Sequence, residues 1–113
     1  MLSIIIPARN EADNLEDILK YFKDGLKHID FEVILVNDFS TDETLEKSQN
    51  LFKPYENFKV INNNIEGLGG AINLGIKESK GKKISIMMAD LSDDINDLIK
   101  YNEIMNKKNL DAV

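Results

Sequence analysis

The sequence predicts an α/β protein: a mostly parallel, doubly wound sheet with helices on both faces. Short apolar runs of strand length alternate with stretches whose apolar residues recur at helical spacing. The apolar runs are β-branched and nearly unbroken, which suits strands buried on both faces of a parallel sheet. Several of them stop abruptly at polar residues, so the strand ends present chemistry while the strand bodies present only core.

In chain order, Leu2 to Ile6 reads as a first strand, closed by Pro7. Asn10 is expected to cap a helix carrying Leu15, Ile18, Leu19, Phe22 and Leu26, with Glu11 and Asp13 in its first turn. Phe31 to Val36 is a second strand ending at Asn37-Asp38. Ser40 with Glu43 has the spacing of a capping box for a second helix, which carries Leu45, Leu51 and Phe52 and ends at Pro54. Phe58 to Ile61 is a brief third strand. A turn-rich loop through Asn62-Asn63-Asn64 and Gly67-Leu68-Gly69-Gly70 leads to a helix from about Ala71 to Ser79, with Gly81 as its stop. Ile84 to Met88 reads as a central fourth strand, ending at Ala89-Asp90. A last helix carries Ile95, Leu98, Ile99 and Met105, capped from Ser92-Asp93-Asp94. Leu110-Asp111-Ala112-Val113 reads as the opening of another strand, so a truncated fold is expected.

Composition narrows the function. At 113 residues, 42% hydrophobic and 30% charged, the chain has the balance of one small, soluble globular domain. A net charge of −6 argues against nucleic acid as a partner. The absence of cysteine excludes disulfides and thiolate metal sites, and fits a cytoplasmic setting. No apolar run approaches a membrane span, and the start lacks the pattern of a signal peptide.

In open parallel sheets, ligands bind beyond the carboxyl ends of strands, where the strand order reverses. With an order of 3-2-1-4, three polar tips would converge there: Pro7-Ala8-Arg9-Asn10-Glu11, Asn37-Asp38-Phe39-Ser40 and Met88-Ala89-Asp90-Leu91-Ser92. Asp38 suits hydrogen bonding to a nucleobase or ribose, or plain capping of the second helix. The planar guanidinium of Arg9 suits phosphate or a base, while Glu11 could bind ligand or only cap. Asp90 is a hard oxygen ligand suited to Mg²⁺ or Mn²⁺, and Ser92 can add a hydroxyl or a water-mediated contact. Asp93 and Asp94 fit a helix first turn. The Gly67 to Gly70 loop could let amides, Gly69 among them, approach a phosphate, although it lacks the ending of a P-loop. His28 has no second histidine and reads as a solvated linker residue.

The order of these motifs resembles the N-terminal half of a family 2 glycosyltransferase with the glycosyltransferase-A, Rossmann-like fold. The branch containing dolichyl- or polyprenyl-phosphate sugar synthases is the most similar. Ser3-Ile-Ile-Ile-Pro-Ala-Arg-Asn-Glu11 resembles that family's opening strand and nucleotide loop. Glu32-Val-Ile-Leu-Val-Asn-Asp-Phe-Ser-Thr-Asp42 resembles its second strand, usually read Asp-Asp-Gly-Ser-Thr-Asp. Asn64-Ile-Glu-Gly-Leu-Gly-Gly-Ala-Ile-Asn-Leu-Gly75 resembles its glycine-containing third-helix segment, and Met87-Met-Ala-Asp-Leu-Ser-Asp-Asp94 falls at its Asp-X-Asp metal motif.

The resemblance implies that residues 1–113 form a single nucleotide-sugar-binding domain, the N-terminal part of a larger transferase. It implies that Pro7, Ala8, Arg9 and Glu11 line the nucleotide pocket, that Asp38 contacts base or ribose, and that Ser40 and Gly69 belong to the same site. Asp90 is then the catalytic residue, coordinating the divalent ion that bridges the diphosphate, with Ser92 placed to join it. The implied reaction passes a sugar from a nucleotide-diphosphate sugar, with inversion, to an acceptor such as a polyprenyl phosphate at the cytoplasmic face of a membrane. Three residues depart from the pattern: Met88 for the first metal-binding acid, Asn37 for the first acid of the second-strand pair, and Arg9 for an aromatic. The acceptor half would lie beyond Val113, leaving this chain alone with little activity and an incomplete sheet able to self-associate.

Two other classes share some of these features. Nucleotidyltransferase-like proteins carry a glycine-rich loop with Arg and Lys right after the first strand, which Pro7-Ala8-Arg9-Asn10-Glu11 is not. A non-catalytic receiver-type domain needs an aspartate ending its third strand, where Asn62 stands here.

Overall fold

A computed structural model describes residues 1–89 of the chain. Its elements are β1 (Leu2–Ala8), a 3₁₀ turn (Ala12–Asn14), α1 (Leu15–Gly25), β2 (Phe31–Asn37), α2 (Thr44–Phe52), β3 (Phe58–Asn62), α3 (Leu68–Glu78) and β4 (Lys83–Ile86). The strands form one sheet in the order β3-β2-β1-β4, every pair parallel. The reversal of strand order therefore lies between β1 and β4. Through β4 the alternation read from the sequence is the α/β, doubly wound architecture found; the last helix expected to carry Ile95, Leu98, Ile99 and Met105, and the strand expected to open at 110–113, lie outside the described residues.

β1 and β2 are the strands paired on both sides, and each is buried along its whole length. That explains their unbroken apolar character, because neither face nor edge meets water. β1 runs through Pro7, since Pro7 needs no amide hydrogen to remain in register with Val36. β4, read from the sequence as a central strand, flanks β1 at the edge of the described sheet, the place that the order 3-2-1-4 gives it. It is also shorter than expected, although Met87 N–H still donates to Ile5 O at 3.0 Å.

Side chains alternate between two cores. Leu2, Ile4, Ile6, Val33 and Leu35 face α1 and α2, packing with Leu15, Ile18, Phe22 and Phe52. Ile5, Ile34 and Val36 face α3, where Ala71 packs. Gly75 lets α3 lie close on the sheet: a Cβ there would fall within 3.0 Å of Ile5 Cγ2.

Two carboxylates, Glu32 in β2 and Asp38 just past its end, tie α3 down at both ends. Near the helix C-terminus, Glu32 Oε2 accepts Lys80 N–H and Ser3 Oγ–H, each at 2.6 Å, while Lys59 Nζ lies 3.3 Å from Oε1. At the helix start, Asp38 Oδ1 accepts Gly67 N–H at 3.0 Å. The two acids are six residues apart, Glu32 in β2 and Asp38 directly after its end, a span of about 20 Å, close to the length of an 11-residue helix plus its turns. Gly81 is not the helix stop that was expected; α3 ends at Glu78, with Ser79 as its C-cap. Gly81 is small because it passes beside Met1 O and Ser3 Oγ, and its N–H donates to Ser3 Oγ at 2.8 Å.

Candidate functional site

A crevice of about 180 Å³ opens at the carboxyl ends of the strands, lined by Pro7, Ala8, Arg9, Glu11, Asp38, Leu68, Met88 and Ala89. It spans the reversal point, with the β1 tip on one side and the residues after β4 on the other.

The β1 and β2 tips are held to one another by side chains that were read as helix caps. Asn10 does not cap the first helix. It sits at φ 56°, and its Oδ1 accepts Thr41 N–H at 2.7 Å and Asp42 N–H at 3.3 Å. The Ser40–Glu43 capping box does not form either. Ser40 Oγ accepts Asn10 N–H at 3.0 Å, and Asp42 Oδ1 accepts Thr44 N–H at 2.9 Å at the start of α2. Thr44 Oγ1, which also bonds Asp42, accepts Glu11 N–H at 2.9 Å. The Asn10 and Ser40 side chains thus go to the neighbouring loop rather than to their own helices, while Asp42 serves the start of its own α2. Local spacing cannot distinguish these partners, because the same side-chain oxygen can accept from either set of backbone N–H groups.

Asp38 is buried, with 7% of its surface exposed, and does not cap the second helix. Its Oδ1 accepts Asn63 Nδ2–H at 2.9 Å in addition to Gly67 N–H. Burial by itself would raise the Asp38 pKa; the Gly67 amide, the Asn63 carboxamide and the Arg9 charge outweigh it and hold the carboxyl below its usual range. Asp38 is therefore ionised at neutral pH. Its other oxygen, Oδ2, takes part in neither of those bonds.

Arg9 is exposed and pairs with Glu66 at 3.5 Å, the two side chains being 52% and 59% exposed. Exposed pairs of this kind are worth about 0–1 kcal/mol, so the guanidinium can leave Glu66 for an anion at little cost. Glu11 lines the crevice while its Oε2 accepts Asn14 Nδ2–H at 2.5 Å, so one carboxylate oxygen is committed to its own 3₁₀ turn. Asn37 Nδ2 donates to Asn62 Oδ1 at 3.0 Å, a use that an aspartate there could not fulfil. Ser40 and Gly69 are not among the residues lining the crevice; Gly69 lies in the first turn of α3 with open space around it.

Asp90 and Ser92 lie outside the described residues. Ala89, next to Asp90, is buried and lines the crevice, as does Met88. Among the described residues there is no group of three His, Cys, Asp or Glu side chains able to hold a metal. Of the described lining residues, the Met88 thioether is too soft for Mg²⁺ or Mn²⁺, whereas the Glu11 and Asp38 carboxylates are hard oxygen donors. Sequence reasoning missed Asn63 and Leu68. The Asn62-Asn63-Asn64 run was legible as a turn, but which asparagine points inward depends on how the turn sits on β2.

Three comparisons place the chain among known proteins. The model of the family described as Glycosyl transferase family 2 matches residues 3–113. The dolichol-phosphate mannosyltransferase of Pyrococcus furiosus is 40% identical over 91 residues, which is 80% of this chain and 26% of that protein. Among solved structures, S. aureus TarS 1–349 in complex with UDP-GlcNAc has a TM-score of 0.74 at 22% identity, covering 94% of this chain and 31% of that one. The mannosyltransferase PcManGT from Pyrobaculum calidifontis, in complex with GDP-Man and Mn²⁺, has a TM-score of 0.70 at 22% identity over 79% of this chain and 27% of that one. At these identities the two structures establish a shared fold. The chain spans about a third or less of the length of each of these proteins.

Proposed function

The chain belongs to glycosyl transferase family 2, a family of enzymes, and on that premise we propose that it is the donor-binding part of a transferase acting on a nucleotide-diphosphate sugar. The observation that carries this reading is the crevice at the β1/β4 reversal, where Pro7, Ala8, Arg9, Glu11 and Asp38 come together from two strand tips. Asp38 accepts hydrogen bonds from the base or ribose, Arg9 faces phosphate or stacks on the base, and Pro7 and Ala8 form the apolar wall. Asp90, with Ser92, would hold a divalent ion. Bound there, the ion would offset the negative charge that gathers on the leaving diphosphate.

In the reaction, an acceptor oxygen attacks the anomeric carbon from the side opposite the diphosphate. The sugar–phosphate bond breaks and its electron pair departs on the leaving group, so the configuration inverts. The name of the Pyrococcus relative favours a polyprenyl phosphate as acceptor. Such an oxygen is already anionic and needs no general base. A lipid acceptor also favours work at a membrane surface, although no helix among the described residues is long and apolar enough to cross one.

A thermal-shift panel of UDP, GDP and CDP, each with and without Mn²⁺, tests the reading. A nucleotide at about 100 times its Kd stabilises the fold by about 2.7 kcal/mol, which moves Tm by roughly 10 °C. One base should give a Mn²⁺-dependent shift, and Asp90→Ala should abolish the Mn²⁺ dependence. No shift with any of the three would overturn the proposal.

A further inference from the structure

We propose that Asn63 is a positioning residue for nucleotide recognition: it holds Asp38 Oδ1 so that Oδ2 is presented to the crevice. The inference rests on the reading of that crevice as a nucleotide site. Asn63 is 7% exposed and forms no part of the crevice lining. Its backbone N–H donates to Asn37 O at 2.9 Å, which fixes the residue to the end of β2 immediately before Asp38. Its Nδ2 lies 2.9 Å from Asp38 Oδ1, 2.5 Å from Ile65 O and 3.3 Å from Gly67 O. Its Oδ1 accepts Ile65 N–H at 3.4 Å. A carboxamide nitrogen carries two hydrogens, so three acceptors saturate it. Its Nδ2 has nothing left for a ligand and the residue is buried outside the crevice lining, so anything it does for binding passes through Asp38.

The carboxylate it grips is asymmetric. Oδ1 takes both the Asn63 amide and the Gly67 amide, and these two donors set the plane of the carboxyl group. Oδ2 is engaged by neither, while the side chain lines the crevice beside Ala8 and Arg9. With Asn63 removed, Asp38 keeps its charge and one donor but gains rotational freedom about its terminal torsion, which is intrinsically broad. Ligand binding must then fix a group that was already fixed, and affinity falls. A competing role for Asn63 is to close the 63–67 turn through its Oδ1. Serine supports such a turn but is too short to reach Asp38.

The experiment measures Kd by calorimetry on the full chain for UDP, GDP, CDP and ADP with Mn²⁺. It compares wild type, Asn63→Ser, Asn63→Ala, Asp38→Ala and Asp38→Ala combined with Asn63→Ser. The expected result is a loss of about tenfold for Asn63→Ser with Tm near wild type, the factor that a single well-aligned hydrogen bond supports. In the Asp38→Ala background, Asn63→Ser should cause no further loss, since its whole effect runs through that carboxylate. Wild-type affinity in a folded Asn63→Ser variant, or losses that multiply in the double variant, would overturn the proposal. Absence of nucleotide binding by wild type would instead remove the nucleotide reading itself, and the assignment of Asn63 with it.

Discussion

Gly75→Ala sets two known magnitudes against each other on α3. In an exposed helix, replacing glycine by alanine gains about 1 kcal/mol of helix propensity. Here the added methyl would lie closer than 3.0 Å to Ile5 Cγ2 and 3.3 Å from both Ile5 Cδ1 and Val36 Cγ2. Ile5 and Val36 are fully buried on the two central strands. Cγ2 of isoleucine branches directly from Cβ, so it can retreat only by leaving its χ1 well, which is stiff. The helix has little room to lift, because Asp38 and Glu32 hold its two ends. Overpacking of this kind costs about 1–3 kcal/mol, and the absence of any soft neighbour places it in the upper part of that range. The net expectation is a loss of about 1–2 kcal/mol, or roughly 5–10 °C in Tm. Urea unfolding should show a lower midpoint at unchanged m-value. Gly69→Ala, in the same helix with nothing within 4 Å, is the control and should gain about 0.4–1 kcal/mol. If Gly75→Ala is as stable as Gly69→Ala, the close approach of α3 to the sheet is wrong.

Glu32 supplies a pH prediction. Burial pushes its pKa up, but Ser3, the Lys80 amide and Lys59 together hold it below the usual value. A folded pKa below the unfolded one means stability present above the unfolded value, about 4.3, and lost as pH falls through the folded value. Urea midpoints should therefore decline on acidification below that range, and Glu32→Gln should flatten the decline in part, with Asp38 and Asp42, whose pKa values are also lowered, retaining their share. An unchanged slope would refute it. Phe39 stands at φ 55° where the resembling motif has glycine, so Phe39→Gly should be more stable than Phe39→Ala by about 1 kcal/mol in the same unfolding assay. Equal stabilities would mean that the left-handed conformation there is relaxed when the ring is lost.

Much of the site was legible because strand-end chemistry is local. The strand boundaries, an assumed order of 3-2-1-4 and the family resemblance pointed to Pro7, Ala8, Arg9, Glu11 and Asp38, and these residues do line one crevice. The misreadings share one cause. Asn10, Ser40 and Glu43 have the spacing of helix caps, but their segments lie against each other. Asn10 and Ser40 instead bridge the β1 and β2 tips. Gly81 resembles a helix stop, but the constraint on it comes from Met1 and Ser3, far away in sequence.

By itself the sequence determined the element order, the parallel sheet and the family, because β-branched runs, helical periodicity and motif order are properties of neighbouring residues. Only the tertiary structure decided which partner each polar side chain takes. Asp38 holds the start of α3 rather than of α2, Glu32 fastens the other end of that helix, and Asn63 turns inward to the carboxylate. A buried donor or acceptor must be satisfied by whatever the fold brings beside it, and that neighbour is set by packing across the sheet rather than by distance along the chain.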